Sequence, residues 1–214
     1  MNKNRAVSGE VRAYHHGDLR RSLIDAAVTL VTEEQDWTFS LREVARRAGV
    51  SHNAPYNHFA DKRDLLAEVA AAGFERLRER MLGAIPGIED AQTALMKTAV
   101  VYVKFGIENP AHYRLMFGSV LATTLDDRPE SLTVAGANAK AVLEEIIHRG
   151  ARQGIFLPST KKKEDLNIAV LSAWSAVHGL TMLAIDGLAA TPRLTTERIA
   201  EKMAQTLCYG LIRR

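Results

Sequence analysis

The chain has little of what disulfide-rich, metal-binding or catalytic proteins require. Cys208 is the single cysteine among 214 residues, which excludes an internal disulfide and a zinc cluster built from cysteines. No segment alternates apolar and polar residues with the period of two that is typical of a β-strand. A glycine-rich phosphate-binding loop that follows a strand is therefore not expected. No nucleophile, carboxylate pair or metal-ligand set stands at catalytic spacing. The sequence therefore predicts an all-α protein, with no metal and no cofactor expected.

The charge balance permits a nucleic-acid partner without concentrating basic residues in one region. The net charge is +3, the pI is about 9.1, and residues 1–64 hold ten Lys or Arg against nine Asp or Glu. A basic surface must therefore come from geometry rather than bulk charge. Residues 1–15 are polar, and we expect a flexible arm there rather than a secretory signal. The lone cysteine suits a reducing cytoplasm.

The most informative stretch runs from Ser40 to Leu66. Ser40 and Glu43 form the capping pair that begins a helix, and Gly49 is the residue type that ends one. Ser51 can cap a second helix only two residues later. A connection that short forces the second helix to cross the first steeply, so the sequence predicts a helix-turn-helix.

The second helix, expected at residues 52–59, has a polar outer face suited to DNA. Asn side chains can pair with adenine, and His can donate to guanine acceptors. Lys62 and the first N–H groups of the next helix, which Asp61 caps, can hold a phosphate. The predicted DNA contacts are Ser40, Arg42, Ser51, His52, Asn53, Tyr56, Asn57, His58 and Lys62. The competing interpretation is a small helical hairpin with ordinary solvated polar residues.

This stretch resembles the DNA-binding signature of the TetR family of transcriptional regulators. The positions that match are Val50-Ser51, Tyr56, His58-Phe59 and Lys62. The family usually has leucine before the tyrosine, whereas this chain has Pro55, which removes one backbone donor or delays the start of the helix. That departure affects which side chain would reach which base.

Helical patterns account for the remainder of the chain. The expected helices are 18–34, 61–84, 91–108, 111–117, 131–153, 164–186 and 195–211, separated by Pro-, Gly- and charge-rich breaks. We expect a flexible arm at residues 1–15, a three-helix DNA-binding domain at 16–62, and a larger helical regulatory and dimerisation domain at 63–214. The helix that begins at Asp61 links the two domains.

Leu166 to Ile185 contains no Asp, Glu, Lys or Arg and is long enough to span a bilayer. It carries several polar residues, among them Asn167 and His178, and no second apolar span accompanies it. We therefore expect a helix of a soluble protein, buried on nearly all sides, with part of that burial supplied by another subunit.

The C-terminal half extends the resemblance. The segment WSAVHG, with Trp174, His178 and Gly179, and the segment NPAHYRLMF, from Asn109 to Phe117, resemble one regulatory-domain branch of the TetR family. The resemblance implies dimerisation through the last two helices and a small-molecule pocket. The candidate lining residues are Tyr102, Phe105, Tyr113, Met116, Phe117, Trp174 and His178. As a polar group in an apolar helix, His178 needs a partner.

The expected function is a sequence-specific, homodimeric repressor whose affinity for a double-stranded operator is controlled by a small-molecule effector. Two alternatives come from other classes. One is a helical adaptor or ligand-binding protein whose helix-turn-helix does not bind DNA. The other is an all-helical enzyme that uses His178 as an acid or base, although the chain lacks a catalytic constellation around it.

Overall fold

The computed structural model describes residues 16–121, 129–156, 162–189 and 194–211, and within these ranges the chain is helical without a β-sheet. The predicted N-terminal arm lies outside the described residues. The helices are α1 (His16–Glu34), α2 (Leu41–Arg47), a 3₁₀ helix (Ala54–Asn57), α3 (Lys62–Gly83), α4 (Ala91–Glu108), α5 (Pro110–Phe117), α6 (Glu130–Arg152), α7 (Lys163–Ile185) and α8 (Thr196–Leu211). The all-α prediction is confirmed.

The N-terminal module packs α1, α2 and the start of α3 around a small apolar core. Leu23, Val44 and Leu65 are completely buried there. Ser40 caps α2 as predicted, because its Oγ accepts a hydrogen bond from the Glu43 N–H at 3.2 Å. Gly49 has φ +70°, the left-handed conformation that lets the chain leave α2 within a short turn. The predicted helix-turn-helix is therefore present.

The second helix of this motif is shorter than predicted. The sequence suggested residues 52–59, whereas the structure has a 3₁₀ helix at Ala54–Asn57. Pro55 lacks a backbone N–H and disfavours α-conformation at the preceding residue, so only a tight turn forms. The predicted Ser51 cap is also wrong. Asn53 precedes the 3₁₀ helix without a capping side-chain bond, and Ser51 contributes only its carbonyl, which accepts from Ala54 N–H.

Helix α3 connects the two halves of the protein and spans roughly 33 Å at 1.5 Å per residue. It packs against α1 at one end and against α4, α5 and α6 along its length. Two carboxylates cap the start of α3, those of Asp61 and Asp64, and only the Asp61 cap was predicted from the sequence. The Asp61 carboxylate accepts from Asp64 N–H at 2.9 Å, and the Asp64 carboxylate accepts from Ala60 N–H at 3.1 Å.

The C-terminal half is a helical domain in which α4 lies against α6, α7 and α8. The predicted helix bounds are confirmed here to within one residue at each end. Cys208 of α8 is fully buried in this core. Burial raises the pKa of its thiol to about 11, and the nearby Asp90 carboxylate acts in the same direction.

Within one protomer, helix α7 is buried on one face only, and the further burial expected from another subunit stays a prediction. Among the described helices it alone is long and apolar enough to cross a membrane, a test that a core helix of a soluble protein also passes. Only 33% of its most apolar window is buried. One face, which includes Ala169, Ala173 and Leu180, joins the core, while Ile168 and Leu171 remain exposed. The apolar composition of α7 therefore exceeds what the fold of one protomer requires.

Candidate DNA-binding surface and regulatory cavity

The helix-turn-helix carries most of the predicted DNA contacts as solvent-exposed side chains. Seven of the nine predicted DNA contacts are exposed, namely Ser40, Arg42, Ser51, His52, Asn53, Tyr56 and Asn57. His58 and Lys62 are half-buried. Ala54, Pro55 and Phe59 point inward and anchor the 3₁₀ helix on the core. The structure thus leaves all nine residues exposed or half-buried, and their role in DNA binding stays a prediction.

Lys62 lies against the aromatic ring of Phe39, with its Nζ 5.2 Å from the ring centroid. Partial burial lowers the pKa of its ammonium group, while the Asp36 carboxylate opposes that shift. The neighbouring N–H groups are less available to a phosphate than the sequence suggested, because Asp61 and Asp64 place carboxylates at the start of α3. A phosphate contact at this position therefore depends mainly on the Lys62 ammonium group.

Arg63 provides a link that sequence reasoning missed. Its guanidinium donates two hydrogen bonds to the Leu121 carbonyl, from Nε at 2.9 Å and from the terminal nitrogen at 2.6 Å. Leu121 follows α5 and is buried. Fifty-eight positions separate the two residues, so no local pattern marks the pair. The bond joins the N-terminal end of α3 to the segment that follows α5.

A cavity of about 380 Å³ lies inside the C-terminal domain. Its walls come from α3, α4, α6, α7 and α8, together with Phe117 at the end of α5. Most lining side chains are aliphatic or aromatic, and small residues of α6 such as Gly136 and Ala139 leave the space open. Cavities of about 300 Å³ or more with an apolar lining and a few polar groups are typical of small-molecule sites.

The structure brings three of the seven predicted ligand residues to the cavity wall: Tyr102, Phe117 and Trp174. The other four lie behind or beside them. Phe105, Tyr113 and Met116 are buried in the core, and His178 is partly buried with its ring 4.7 Å from that of Phe117. Ligand binding by the three wall residues stays a prediction.

A polar network joins the cavity wall to the core behind it. Trp174 Nε1 donates to the Tyr102 hydroxyl at 3.2 Å, and the Tyr113 hydroxyl donates to Tyr102 at 3.0 Å. The Tyr113 oxygen lies 2.7 Å from His178 Nδ1. The partner that the sequence required for His178 is thus a tyrosine. Burial raises the pKa of Tyr102 to about 12 and lowers that of His178, so both groups are uncharged at neutral pH.

Acidification should destabilise the domain through its buried histidines. His112 donates from Nε2 to the Val69 carbonyl at 2.6 Å, and burial lowers its pKa, as it does for His178. The unfolded chain therefore takes up protons below about pH 6.5 while the folded chain resists them. We expect lower urea midpoints at about pH 5.5 than at about pH 7.5. Asp90 and Glu197, whose pKa values are lowered, contribute only below this window, so equal midpoints would contradict the prediction.

A helix-turn-helix joined through one long helix to a helical domain with an apolar cavity defines a class of DNA-binding regulator. Two family models agree with this. Residues 23–69 match the model of bacterial regulatory proteins of the tetR family, and residues 95–207 match the tetracyclin repressor-like C-terminal domain. The second match alone covers more than half of the chain. The chain belongs to the TetR family of transcriptional regulators, whose members are regulators rather than enzymes.

Solved structures share this fold over nearly the whole chain. A Rhodococcus sp. RHA1 protein of unknown function is 29% identical, with a TM-score of 0.78, covering 94% of this chain and 100% of its own. A tetR-family regulatory protein from Rhodococcus RHA1 is 20% identical, with a TM-score of 0.65, and the coverage is 92% and 98%. The regulator FadR from Bacillus subtilis, solved with stearoyl-CoA, is 17% identical, with a TM-score of 0.68 and coverage of 89% and 98%.

These similarities confirm the family and the order of a DNA-binding domain followed by a larger helical domain. The finer resemblance, to the branch with the tryptophan, histidine and glycine signature, stays a prediction. The structure shows what two of these residues do. Trp174 and His178 stand one turn apart on α7 and both join the Tyr102 and Tyr113 network.

Proposed function

We propose that the protein is a homodimeric repressor whose operator affinity is controlled by a small apolar effector. One observation carries the proposal: a single helix, α3, connects the polar surface of the helix-turn-helix to the apolar cavity. Phe74, Leu77 and Met81 in its later turns line the cavity, while Lys62 begins it beside the DNA-binding surface. We assign residues 16–62 to DNA binding and 63–214 to regulation and dimerisation, and we place the protein in the cytoplasm.

On DNA, two copies of the 3₁₀ segment would enter successive major grooves of a near-palindromic operator. Half-sites would then stand roughly 34 to 36 Å apart or slightly more. Ser40, Tyr56 and Lys62 would contact phosphates and fix the register. The side chains that would sample base edges are Arg42, His52, Asn53 and Asn57, with Ser51 and His58 at the margins of the same surface.

The dimer interface would form from α7 and α8. Ile168, Leu171 and Leu183 of α7 are 58%, 49% and 47% exposed and recur at helical spacing on one side. Tyr209 on α8 is 64% exposed. Apolar side chains at this density on a helix free of charges in its centre are typical of a surface that another subunit covers.

Effector control requires only that the ligand bind one arrangement of α3 better than another. The cavity touches α3 directly, and Phe117 of its wall lies four residues before Leu121, which binds Arg63 near the start of α3. A ligand that shifts Phe117 or the later turns of α3 would therefore change the distance between the two helix-turn-helix motifs of the dimer. FadR from Bacillus subtilis, which shares the fold, was solved with stearoyl-CoA, a ligand with an apolar chain.

Binding to genomic DNA fragments, including the region that flanks the protein's own gene, tests this function. Purified protein should retain a few fragments selectively, with two protected half-sites in each, and the affinity should fall steeply between two salt concentrations. The adaptor alternative predicts no salt-sensitive DNA affinity. The enzyme alternative is weaker, because the His178 ring is already engaged by the Tyr113 hydroxyl, and among the described residues no group of His, Cys, Asp or Glu is suited to hold a metal ion.

Replacing Lys62 by methionine should weaken binding to every DNA sequence. Methionine keeps an unbranched apolar stem against Phe39 but removes the charge, so we expect a loss of about tenfold and a salt dependence shallower by about one phosphate contact per protomer. The readout is the Kd for operator and for random DNA over a salt series.

Asn53→Ala is the matched variant, because Asn53 is exposed on the same surface without an ammonium group. It should relax preference at one operator position by about 1 to 3 kcal/mol and leave random DNA unaffected. If both variants changed specific and random binding equally, this division between phosphate and base contacts would be wrong.

A further inference from the structure

The cavity reaches solvent along α6. Among the described residues that line it, Thr133, Ala137 and Lys140 are exposed, whereas every lining residue from the other helices is buried or half-buried. These three residues stand at i, i+4 and i+7, so they follow one side of α6 over two turns. They form the rim of the cavity mouth, where part of a bound ligand would remain in contact with water.

The interior of the cavity is unsuited to a charged group. The Thr98 hydroxyl oxygen is closed off from accessible space, and Trp174 Nε1 is already bonded to the Tyr102 hydroxyl at 3.2 Å. None of the described interior side chains carries a charge, and most are aliphatic or aromatic. A carboxylate placed there would lose its hydration without gaining a cation, which strongly disfavours it. A charged end of a ligand is therefore confined to the mouth.

Lys140 is the one charged side chain among the described residues that line the cavity. Its ammonium group is paired with the Glu144 carboxylate at 2.9 Å, and the two side chains are 46% and 39% exposed. An exposed pair of this kind, four residues apart on a helix, is weak. The flexible stem of lysine lets the ammonium group turn toward an anion at the mouth by side-chain rotation. A ligand carboxylate can therefore replace or join Glu144 as its partner.

The size of the cavity suits one hydrocarbon chain. An apolar protein cavity of about 150 Å³ accommodates benzene. By proportion, the cavity of about 380 Å³ has room for roughly 15 non-hydrogen atoms. An unbranched chain of about ten carbons falls within this limit, and its free rotation lets it follow the shape of the space. Larger molecules would need the surrounding helices to move apart.

We propose that the cavity takes a single-chain amphiphile, with its hydrocarbon chain inside and an anionic head group, such as a carboxylate, bound by the Lys140 ammonium group at the α6 rim. This inference rests on the proposed effector control of the cavity. It keeps the apolar body of the proposed effector and gives that body one charged end.

Three probes of equal heavy-atom count test the sign of the head group: decanoate, 2-undecanone and undecylammonium. Their chains are similar, and their head groups are negative, neutral and positive. Trp174 in the cavity wall reports binding through its fluorescence, and a Trp37→Phe background removes the other tryptophan. Each probe is titrated into wild type and variants, so that every comparison is made between proteins for one and the same probe.

Lys140→Met removes the charge and keeps an unbranched stem at the rim. The variant should lose roughly fivefold in affinity for decanoate, bind 2-undecanone as before, and bind undecylammonium more tightly than the wild type does. Glu144→Gln removes the competing carboxylate instead and should raise the affinity for decanoate roughly two- to threefold. Both variants break the same ion pair, so an effect of that loss on the fold would move decanoate affinity in one direction for both.

Lys104→Met is the matched control for the loss of a positive charge. Lys104 also pairs with a glutamate four residues later, Glu108 at 3.7 Å, but it does not line the cavity. Its replacement should leave the affinity for decanoate unchanged. Undiminished decanoate affinity in Lys140→Met, changes of the same sign in Lys140→Met and Glu144→Gln, or no binding of decanoate to the wild type would overturn the ligand class.

The effect of each probe on operator binding is measured separately, with a DNA fragment that the protein retains selectively. Decanoate binding that depends on Lys140 but leaves operator affinity unchanged would support the ligand class and contradict the proposed regulation. A change in operator affinity with 2-undecanone or undecylammonium and none with decanoate would support the regulation and overturn the ligand class.

Discussion

Leu171→Arg should convert the protein to a monomer and reduce its operator affinity by about 100-fold or more. Leu171 is 49% exposed in the centre of the apolar side of α7, where a second copy of the chain would cover it. In an interface with two-fold symmetry the substitution introduces two guanidinium groups at once, each without a partner. A monomer binds one half-site at a time, so it loses the extra affinity that a dimer gains by binding two linked half-sites. Sedimentation and operator titration would measure both effects.

Val134→Arg is the matched control for this substitution. Val134 on α6 is 51% exposed, almost the same as Leu171, but it lies beside α1 and α3 rather than on α7 or α8. We expect this variant to stay dimeric and to bind operator as the wild type does. A dimer of undiminished affinity in Leu171→Arg, or a monomer in Val134→Arg, would move the interface away from α7.

Gly73→Ala should lower the free energy of unfolding by about 2 to 3 kcal/mol, although alanine is the better helix former. A Cβ at Gly73 would lie 2.6 Å from Met116 Sδ and 2.7 Å from His112 Nε2. The imidazole cannot simply rotate away, because Nε2 is bonded to the Val69 carbonyl of the same helix. The added methyl group must therefore push α5 from α3 or break that bond.

The opposite sign is expected for Gly83→Ala in the last turn of the same helix. A Cβ at Gly83 meets nothing within 4 Å, so only the helix propensity changes and stability should rise by about 0.5 kcal/mol. Urea denaturation of both variants would measure the two values. If Gly73→Ala proved as stable as Gly83→Ala, the close packing of α5 on α3 would not be a constraint on the fold.

Helix bounds were the part of this fold most open to prediction, because their signals are local. Ser40, Asp61 and Asp90 each cap a helix through a bond to the N–H three residues later, a relation that spacing alone reveals. The 3₁₀ segment shows the limit of such signals. Pro55 marked a disturbance, but whether the helix would shift, shorten or tighten depended on how Ala54 and Phe59 anchor it in the core.

The candidate sites were predictable where they lie on one local motif and not where they combine distant helices. The polar surface of the helix-turn-helix comes from one stretch, and seven of its nine predicted residues are exposed. The cavity combines side chains from six helices. Residue type alone therefore could not separate buried core residues such as Phe105 and Met116 from residues that line the cavity.

Because Cys208 is buried, the rate at which its thiol is chemically modified can report how often α8 separates from the core. The thiol is fully buried and its pKa is about 11, so a thiol-specific reagent can attack only when α8 separates from α4. The modification rate at a fixed pH thus measures how often α8 opens transiently, even though the average structure stays the same. Ala204 and Leu207 of α8 line the cavity, so an effector that bridges α8 to the other walls should slow the labelling of a residue it never touches.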